Sequence, residues 1–297
     1  MGDPATMQKP QEIRLSLRGV ICISGPDTRS FLQQLVTNDV EKVRPGHAVY
    51  AALLTPQGKY LFDFFMVDFD REGHPRELLL DCEAARRTEL IDRLEMYKLR
   101  ADVTLVDVTE SYAVWAILGD ITAPEGESLI YRDPRHPGMG HRAIIPASGH
   151  PGFVEGSFED YERLRLTLGI PDSSRDIEVN KRLVLEANLD ALNGVDFEKG
   201  CYVGQEIAAR MKYRGKVRKR LLPVRFDGKA PEPGSAIFVN DVKIGETRSC
   251  LDDRAIALIR IEDLAKGPAQ LEDGTAVIPE APAWMKGQQS KGDGGNS

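Results

Sequence analysis

The chain has 297 residues, enough for two or three domains with cores of their own, and 41% hydrophobic against 29% charged residues is ordinary for a soluble globular protein. A net charge of −7, from 39 basic and 46 acidic residues, excludes nucleic-acid binding over the whole surface and leaves room only for a local basic patch. Cys22, Cys82, Cys201 and Cys250 stand far apart without a CxxC pair, which argues against a zinc ribbon or a sequence-local cluster motif and for a reducing compartment.

In chain order, residues 15–23 alternate as a strand, and Asp27 is placed to cap a helix running to Val36. Residues 47–54 make a second strand. Thr55-Pro56-Gln57-Gly58 then puts Pro and Gly at the second and fourth positions that a type I turn prefers. The strand after it, 59–69, carries Tyr60, Phe62, Phe64 and Met66 on one face and Leu61, Phe65 and Val67 on the other. Two apolar faces predict a strand covered on both sides, with Asp63 the exception in the middle of one. A buried carboxylate costs roughly several kcal/mol unless it finds donors. Asp63 is therefore either a structural acid fed by backbone N–H groups or an acid facing a ligand in a pocket.

A short strand at 77–81, a helix over 83–99 with Leu90, Ile91, Leu94 and Tyr97 inward, and strands at 103–108 and 112–118 complete a β-α-β-β-α-β drift of ferredoxin-like type. Residues 119–152 are loop-rich. His136, His141 and His150 lack acidic or cysteine partners at ligand spacing, so no metal site is expected. A strand at 141–145 opens a second α+β unit. Ser157 with Asp160 makes a capping box for a helix over 158–168, closed by Gly169 and Pro171. Arg165 on that helix is expected in a surface salt bridge. The aperiodic stretch 171–200 contains Asn188, Asp190 and Asn193-Gly194 and reads as the ordered wall of a site.

That wall leads into Lys199-Gly200-Cys201-Tyr202-Val203-Gly204-Gln205-Glu206, a thiol on a turn between two glycines. Gln205 and Glu206 read as a helix start, with the acid in the first turn. A cysteine beside a lysine and a helix N-terminus is expected to carry thiolate character; the alternative is a buried cysteine in a tight turn. Over 210–220, seven of eleven residues are basic and six recur at period two. This run is expected to be a charged edge strand, or else an anion site for a polyglutamate tail or a contact to RNA phosphates. Tyr213 is its only aromatic, so base stacking has little support. Short strands in 217–282 predict a small antiparallel barrel or sandwich, and the final stretch cannot bury enough apolar surface to order itself.

The run K-G-C-Y-x-G-Q-E, preceded by N-L-D…G-V-x-F and followed by A-R and R-G, resembles the signature of the YgfZ family. These are folate-binding relatives of the glycine-cleavage T-protein that assist iron–sulfur protein assembly or repair. The resemblance continues at weaker grade from Leu15 to Pro282. It implies an α+β fold in a T-protein-like three-domain arrangement, with two ferredoxin-like α+β units and a small C-terminal antiparallel β-barrel. The expected domains are 10–110, 111–215 (carrying the motif) and 216–283, with a disordered tail at 284–297.

The resemblance also implies tetrahydrofolate, or a one-carbon derivative, in a channel between the domains with Cys201 exposed at its rim. In L-T-P-Q-G-K-Y-L-F-D, Asp63 falls where the T-protein keeps its catalytic aspartate. On this reading Cys201, Lys199 and Asp63 are the functional residues, and Asp63, Tyr60, Asn188, Tyr202, Gln205, Glu206 and Arg210 line the folate site. Arg165, on a helix that borders the channel in the family, is a second candidate for a folate carboxylate. Partners are iron–sulfur client or assembly proteins, with tRNA modification supported indirectly and neither direct nucleic-acid contact nor a membrane expected. A conventional enzyme is not implied.

The alternative is a tetrahydrofolate-dependent aminomethyltransferase or other one-carbon transferase, against which Cys201 counts because the T-protein pattern has no cysteine there. A cysteine hydrolase would want a histidine base, and none of the five histidines lies near Cys201 in sequence. The first residues show neither the apolar core of a signal peptide nor a transit-like Arg/Ser bias, and no apolar run reaches a membrane span. The expected setting is the bacterial cytoplasm.

Overall fold

The computed structural model describes residues 9–69, 77–121, 129–215 and 217–286. In chain order the first strands and helices are β1 (Gln11–Arg14), β2 (Arg18–Ser24), α1 (Thr28–Gln33), β3 (Val49–Leu54), β4 (Tyr60–Asp68), β5 (Leu78–Glu83) and α2 (Arg87–Lys98). They are followed by β6 (Thr104–Asp107), β7 (Tyr112–Leu118), β8 (Ile130–Arg132), β9 (His141–Pro146), β10 (Val154–Glu155), α3 (Phe158–Leu168), α4 (Ser173–Asp176) and α5 (Gln205–Arg214). The last are β11 (Lys219–Phe226), β12 (Ala236–Val239), β13 (Val242–Leu251), β14 (Arg254–Arg260), β15 (Ala269–Gln270), β16 (Ala276–Pro279) and α6 (Ala283–Lys286). Two five-stranded sheets run β10-β1-β7-β9-β8 and β3-β4-β5-β2-β6, and a closed barrel runs β11-β14-β13-β12-β15-β16. All nine residues of β4 are buried, as its two apolar faces predict.

The chain divides into two compact units. One comprises Met1–Leu32, Val40–Val49 and Phe64–Tyr161, and the other Gln33–Asp39, Tyr50–Asp63 and Glu162–Ser297. The first unit is built around a buried charge cluster. Asp81 is fully buried and accepts from Arg18 Nε at 2.6 Å and Arg142 Nη2 at 2.6 Å. Burial alone would raise its carboxyl; the Arg142 and Arg18 charges outweigh burial and hold it below the usual range. Arg142 also stacks on Phe65, its guanidinium carbon 4.3 Å from the ring centroid, with Arg135 at 5.1 Å.

Helix α3 starts with the expected capping box. Ser157 N donates to Asp160 Oδ2 at 3.0 Å, and Asp160 N donates back to Ser157 Oγ at 3.2 Å. The helix then departs from expectation at Arg165, which is fully buried rather than in a surface salt bridge. It shares the inner stripe of α3 with Glu162 and Leu166 and donates to Glu162 Oε1 at 2.7 Å and Asp176 Oδ2 at 3.0 Å. Asp176 Oδ1 in turn accepts from Ser249 N and Oγ at 2.8 and 2.6 Å. One arginine thereby ties α3 to α4 and, through Asp176, to strand β13 of the barrel.

Barrel closure leaves no strand edge, and the alternating residues Leu222, Val224 and Phe226 of β11 and Ala255, Ala257 and Ile259 of β14 fill its core. Two local expectations change. The run at 210–220 is not one extended strand: α5 continues to Arg214, and β11 starts only at Lys219, with Lys216 outside the described residues. Ala208, Ala209, Met211 and long cationic side chains favour helix and prevail over the charge periodicity. Residues 284–286, expected in the disordered tail, belong to α6, where Met285 is buried and Trp284 Nε1 donates to Leu168 O at 2.9 Å. A single tryptophan with a hydrogen-bond partner suffices to seat them. The rest of the expected tail, 287–297, lies outside the described residues.

Replacing Arg165 by Met removes the buried cation between Glu162, which keeps Arg175, and Asp176, which keeps only neutral donors, so Arg165→Met should lower the unfolding free energy by about 3 kcal/mol. Arg163→Met on the same helix, whose pair with Asp252 is half exposed, should cost less than about 1 kcal/mol. Urea titration of the two variants checks this, and equal midpoints would reject it.

Candidate functional site

The site is organised by Lys199. Its side chain is 9% exposed, and Nζ donates to Gln33 O at 2.8 Å, Val36 O at 2.7 Å and Asn38 O at 2.9 Å. An ammonium has three donors and no acceptor, so the three carbonyls use it fully. The neighbouring loop is stitched to the same segment. Thr37 Oγ1 donates to Gly194 O at 2.6 Å, Asn38 Nδ2 donates to Asn193 O at 2.7 Å, and Asp196 N donates to Thr37 O at 3.0 Å. Burial brings the Lys199 ammonium down to about 8, against the pull of Asp39 and Asp196. The side chain expected to flank the thiol thus directs its donors at the chain after α1.

Beyond Lys199 the backbone turns through Cys201 and enters α5 at Gly204, whose φ is +83°. A Cβ on Gly204 would lie 2.6 Å from Thr55 O, and one on Gly58 would lie 2.8 Å from Ile207 Cβ. The Thr55–Gly58 turn and the start of α5 therefore touch at distances only glycine allows. Cys201 is exposed, whereas Cys82 is buried and Cys22 and Cys250 are half-buried; burial pushes the Cys250 thiol up to about 11. Tyr202 points inward, its ring centroid 5.2 Å from Lys199 Nζ. Its hydroxyl is buried with no hydrogen-bond partner among the described residues, and burial followed by the Asp196 charge pushes it up to about 12.

Asp63 on β4 is 5% exposed, and its donors are phenols. Tyr50 OH donates to Oδ2 at 2.7 Å and Tyr60 OH to Oδ1 at 2.8 Å. Burial, then the Asp63 charge, raises the Tyr60 hydroxyl well above the ordinary phenol range, so it remains a donor. The backbone of Tyr60 is bonded to the wall segment: Tyr60 N donates to Arg182 O and Asn180 N to Tyr60 O, both at 2.8 Å. Tyr50 was not among the sequence candidates. Its signal was available, since it stands five residues before the Thr55–Gly58 turn and Asp63 five after it.

The remaining candidates separate. Asn188 is fully buried at φ +62°, donating through Nδ2 to Leu221 O at 2.5 Å and accepting at Oδ1 from Arg220 Nη1 at 3.1 Å. It joins the wall to β11. Gln205, half-buried, opens α5, while Glu206 and Arg210 are exposed on that helix. The structure thus pairs Asp63 with Tyr60 and Lys199 with Tyr202, and it places Glu206 and Arg210 on the surface. Among the described residues no group of three or more His, Cys, Asp and Glu is arranged to hold a metal ion.

Residues 12–124 match the family described as GCVT N-terminal domain, and residues 218–287 the one described as CAF17, C-terminal beta-barrel domain. The chain is 35% identical to the mouse protein named iron-sulfur cluster assembly factor IBA57, mitochondrial, over 90% of this chain and 84% of the relative. It is 31% identical to the human protein of that name, over 95% and 87%, and 33% identical to a Neurospora crassa homologue, over 74% and 55%. Among solved structures it is similar to glycine cleavage system aminomethyltransferase T from Bartonella henselae, with a TM-score of 0.72 over 94% of this chain and 87% of that one. At 13% identity that likeness shows the fold alone, an aminomethyltransferase-like arrangement completed by a closed six-stranded antiparallel barrel. The expectation of a cytoplasmic setting is overturned, because the mouse, human and Neurospora relatives are mitochondrial. Free cysteines distinguish reducing from oxidising surroundings and do not tell one reducing compartment from another.

Lys199→Met abandons three carbonyls and should destabilise the fold by at least about 3 kcal/mol, one per acceptor at the low end of the cost. The folded-state value of Lys199, about 8, lies below the ordinary 10.5, so between the two the unfolded chain binds more protons. Relative to Lys199→Met, the wild type should gain stability as pH rises from about 8 towards 10.5 and lose that gain as pH falls back through 8. Denaturant midpoints of both proteins across this window test it; a constant difference would refute the titration.

Proposed function

The chain belongs to the IBA57 family of iron–sulfur cluster assembly factors, and from that premise we propose that it acts in assembly or repair of iron–sulfur proteins, with Cys201 as its functional thiol and tetrahydrofolate as a ligand at Asp63. The observation that carries the thiol reading is the combination of exposure and restraint at Cys201. It is the exposed cysteine of the four, yet its backbone is held by Lys199 on one side and by the Gly204 contact on the other. A thiol that meets a cluster or a partner's sulfur must be accessible, and a fixed loop removes the entropy of searching for the encounter geometry. The K-G-C-Y-x-G-Q-E run, which resembles the YgfZ signature, supports the same assignment. The cluster is cargo, and any effect on tRNA modification is indirect, through cluster-bearing enzymes.

The residues also fit a reduced pterin. A carboxylate offers about four acceptor positions, and Tyr50 and Tyr60 use one on each oxygen of Asp63. The remaining positions suit the N–H donors of a pterin ring. The buried Tyr202 hydroxyl, without a partner among the described residues, is a second group in search of one. Tetrahydrofolate would supply nitrogens that carry a one-carbon unit; Tyr50 and Tyr60 fix the direction of the Asp63 carboxylate that would hold it. One-carbon transfer, the activity that the aminomethyltransferase-like fold favours, is the second reading, and Cys201 has no role in it.

Cys201→Ser in the full chain should leave stability within about 0.5 kcal/mol and tetrahydrofolate affinity within about tenfold, roughly 1.4 kcal/mol. It should abolish recovery of iron–sulfur enzyme activity in cells lacking the protein. Retained recovery would sink the thiol assignment. Asp63→Asn should weaken tetrahydrofolate binding by more than about tenfold, measured by anaerobic calorimetry. An unchanged affinity would return Asp63 to a purely structural role.

A further inference from the structure

Helix α5 begins four residues after Cys201, and it displays an unusual face. Its exposed residues are Glu206, Arg210, Tyr213 and Arg214, spaced i, i+4, i+7 and i+8, so they form one stripe, while Ala208 is buried. Arg218 is exposed just beyond the helix. The chain as a whole carries −7, but from Gln205 to Arg220 the single acid is Glu206. Two cations of this stretch are engaged internally. Arg220 Nη1 lies 3.0 Å from Asp190 Oδ1, and Lys212 Nζ lies 4.0 Å from Asp190 Oδ2 and 5.2 Å from the Phe197 ring centroid. Arg210, Arg214 and Arg218 have no carboxylate partner among the described residues.

Tyr213 adds a second, independent observation. It is 65% exposed, and its ring is set edge-on to Phe197 at 6.0 Å and 73°. An exposed tyrosine would ordinarily sample several rotamers, whereas this one is braced by a ring that also meets the Lys212 ammonium. A pre-oriented tyrosine flanked by arginines has the composition of the energetically dominant part of protein interfaces. The stripe from Glu206 to Arg214 is about 12 Å long. A protein interface of ordinary size covers about 800 Å² per partner, a patch roughly 16 Å in radius. A partner of that size that engages Cys201 has the reach to contact this stripe as well.

We propose that the exposed stripe of α5 is a docking face for an acidic surface on the protein that exchanges cluster or thiol chemistry with Cys201. The inference rests on the reading of Cys201 as the functional thiol. The unpaired arginines would meet carboxylates, and Tyr213 would supply the apolar anchor between them. Nucleic acid is the poorer occupant, since a chain of net charge −7 with one aromatic in the stretch offers neither the field nor the stacking platform. A polyglutamate tail is poorer too, because all three arginines are exposed.

The test uses the full chain as wild type, Arg210→Glu/Arg214→Glu, Arg210→Lys/Arg214→Lys and Cys201→Ser. Glutamate-rich and lysine-rich helical peptides, each with one cysteine activated by 2-thiopyridine, report the local field. The Cys201 thiolate attacks the peptide sulfur, a peptide–Cys201 disulfide forms and 2-thiopyridone leaves; the Cys201→Ser rate is subtracted. At about 0.01 M salt, where charges act over about 30 Å, the acidic peptide should react about tenfold faster than the basic one. The ratio should fall to one or below in the Glu variant and survive in the Lys variant. Iron–sulfur enzyme activity in cells lacking the protein should be restored by wild type and the Lys variant and not by the Glu variant.

Equal peptide rates in wild type, or full restoration by the Glu variant, would overturn the docking face. So would micromolar binding of a single-stranded RNA oligomer, or of tetrahydrofolate pentaglutamate, that the Glu variant loses. Restoration by Cys201→Ser would instead overturn the reading of the thiol itself, so the two failures are distinguishable.

Discussion

Three hydrogen bonds from one buried ammonium hold the cysteine loop in its place. Lys199 reaches carbonyls at positions 33, 36 and 38, the first at the end of α1 and the others in the chain just after it, where a helix leaves its carbonyls unpaired. Carbonyls at the end of a helix carry partial negative charge, which offsets part of the cost of taking a cation out of water. Lysine suits the task better than arginine, whose planar fork cannot converge on three carbonyls spread around a point. The consequence runs forward along the chain: with residue 199 fixed and Gly204 pressed against Thr55 O, Cys201 has little freedom left despite being exposed.

Buried charge recurs as a constructional device within each unit. In the first, Asp81 and three arginines surround Phe65; in the second, Arg165 and Asp176 bind α3, α4 and β13. Such groups gain little net stability over apolar packing of the same shape, yet removing one partner is costly, so each network enforces a single arrangement. Asn188 performs a related task with neutral groups, its side chain bonded to Leu221 O and Arg220. These joints decide how the wall segment meets the barrel, and they explain why 171–200 is ordered with α4 as its one short helix among the described residues.

The second unit holds two kinds of polar group in contrasting states. Asp63 is enclosed and accepts from two phenols, a setting that fixes the direction of a carboxylate. Cys201 is open, and beside it α5 displays arginines and a tyrosine without carboxylate partners among the described residues. An enclosed acid suits a small ligand whose donors it can orient, and an open thiol with a charged apron suits a macromolecule.

Much of this was legible in the sequence. Period-two apolarity marked β4 as covered on both faces, Ser157 and Asp160 announced the start of α3, and the short strands after 217 announced the barrel, because each signal is local and backbone geometry follows from a few neighbouring residues. Cys201 and Asp63 could be singled out by residue type and motif. The partners of these residues could not. That Lys199 would turn from the thiol to the chain after α1, that Tyr50 would share Asp63, and that Arg165 would be buried all depend on residues brought together from afar, and a side chain's partner is chosen by packing rather than by spacing. The basic run shows the limit most clearly. Its charges alternate as in a strand, but alternation of solvated side chains exerts no force, and helix propensity with a buried Ala208 decided the outcome. Sequence alone marked most of the strands and helices and the residue types from which chemistry is proposed; tertiary structure settled which are enclosed, which are exposed and what each one touches.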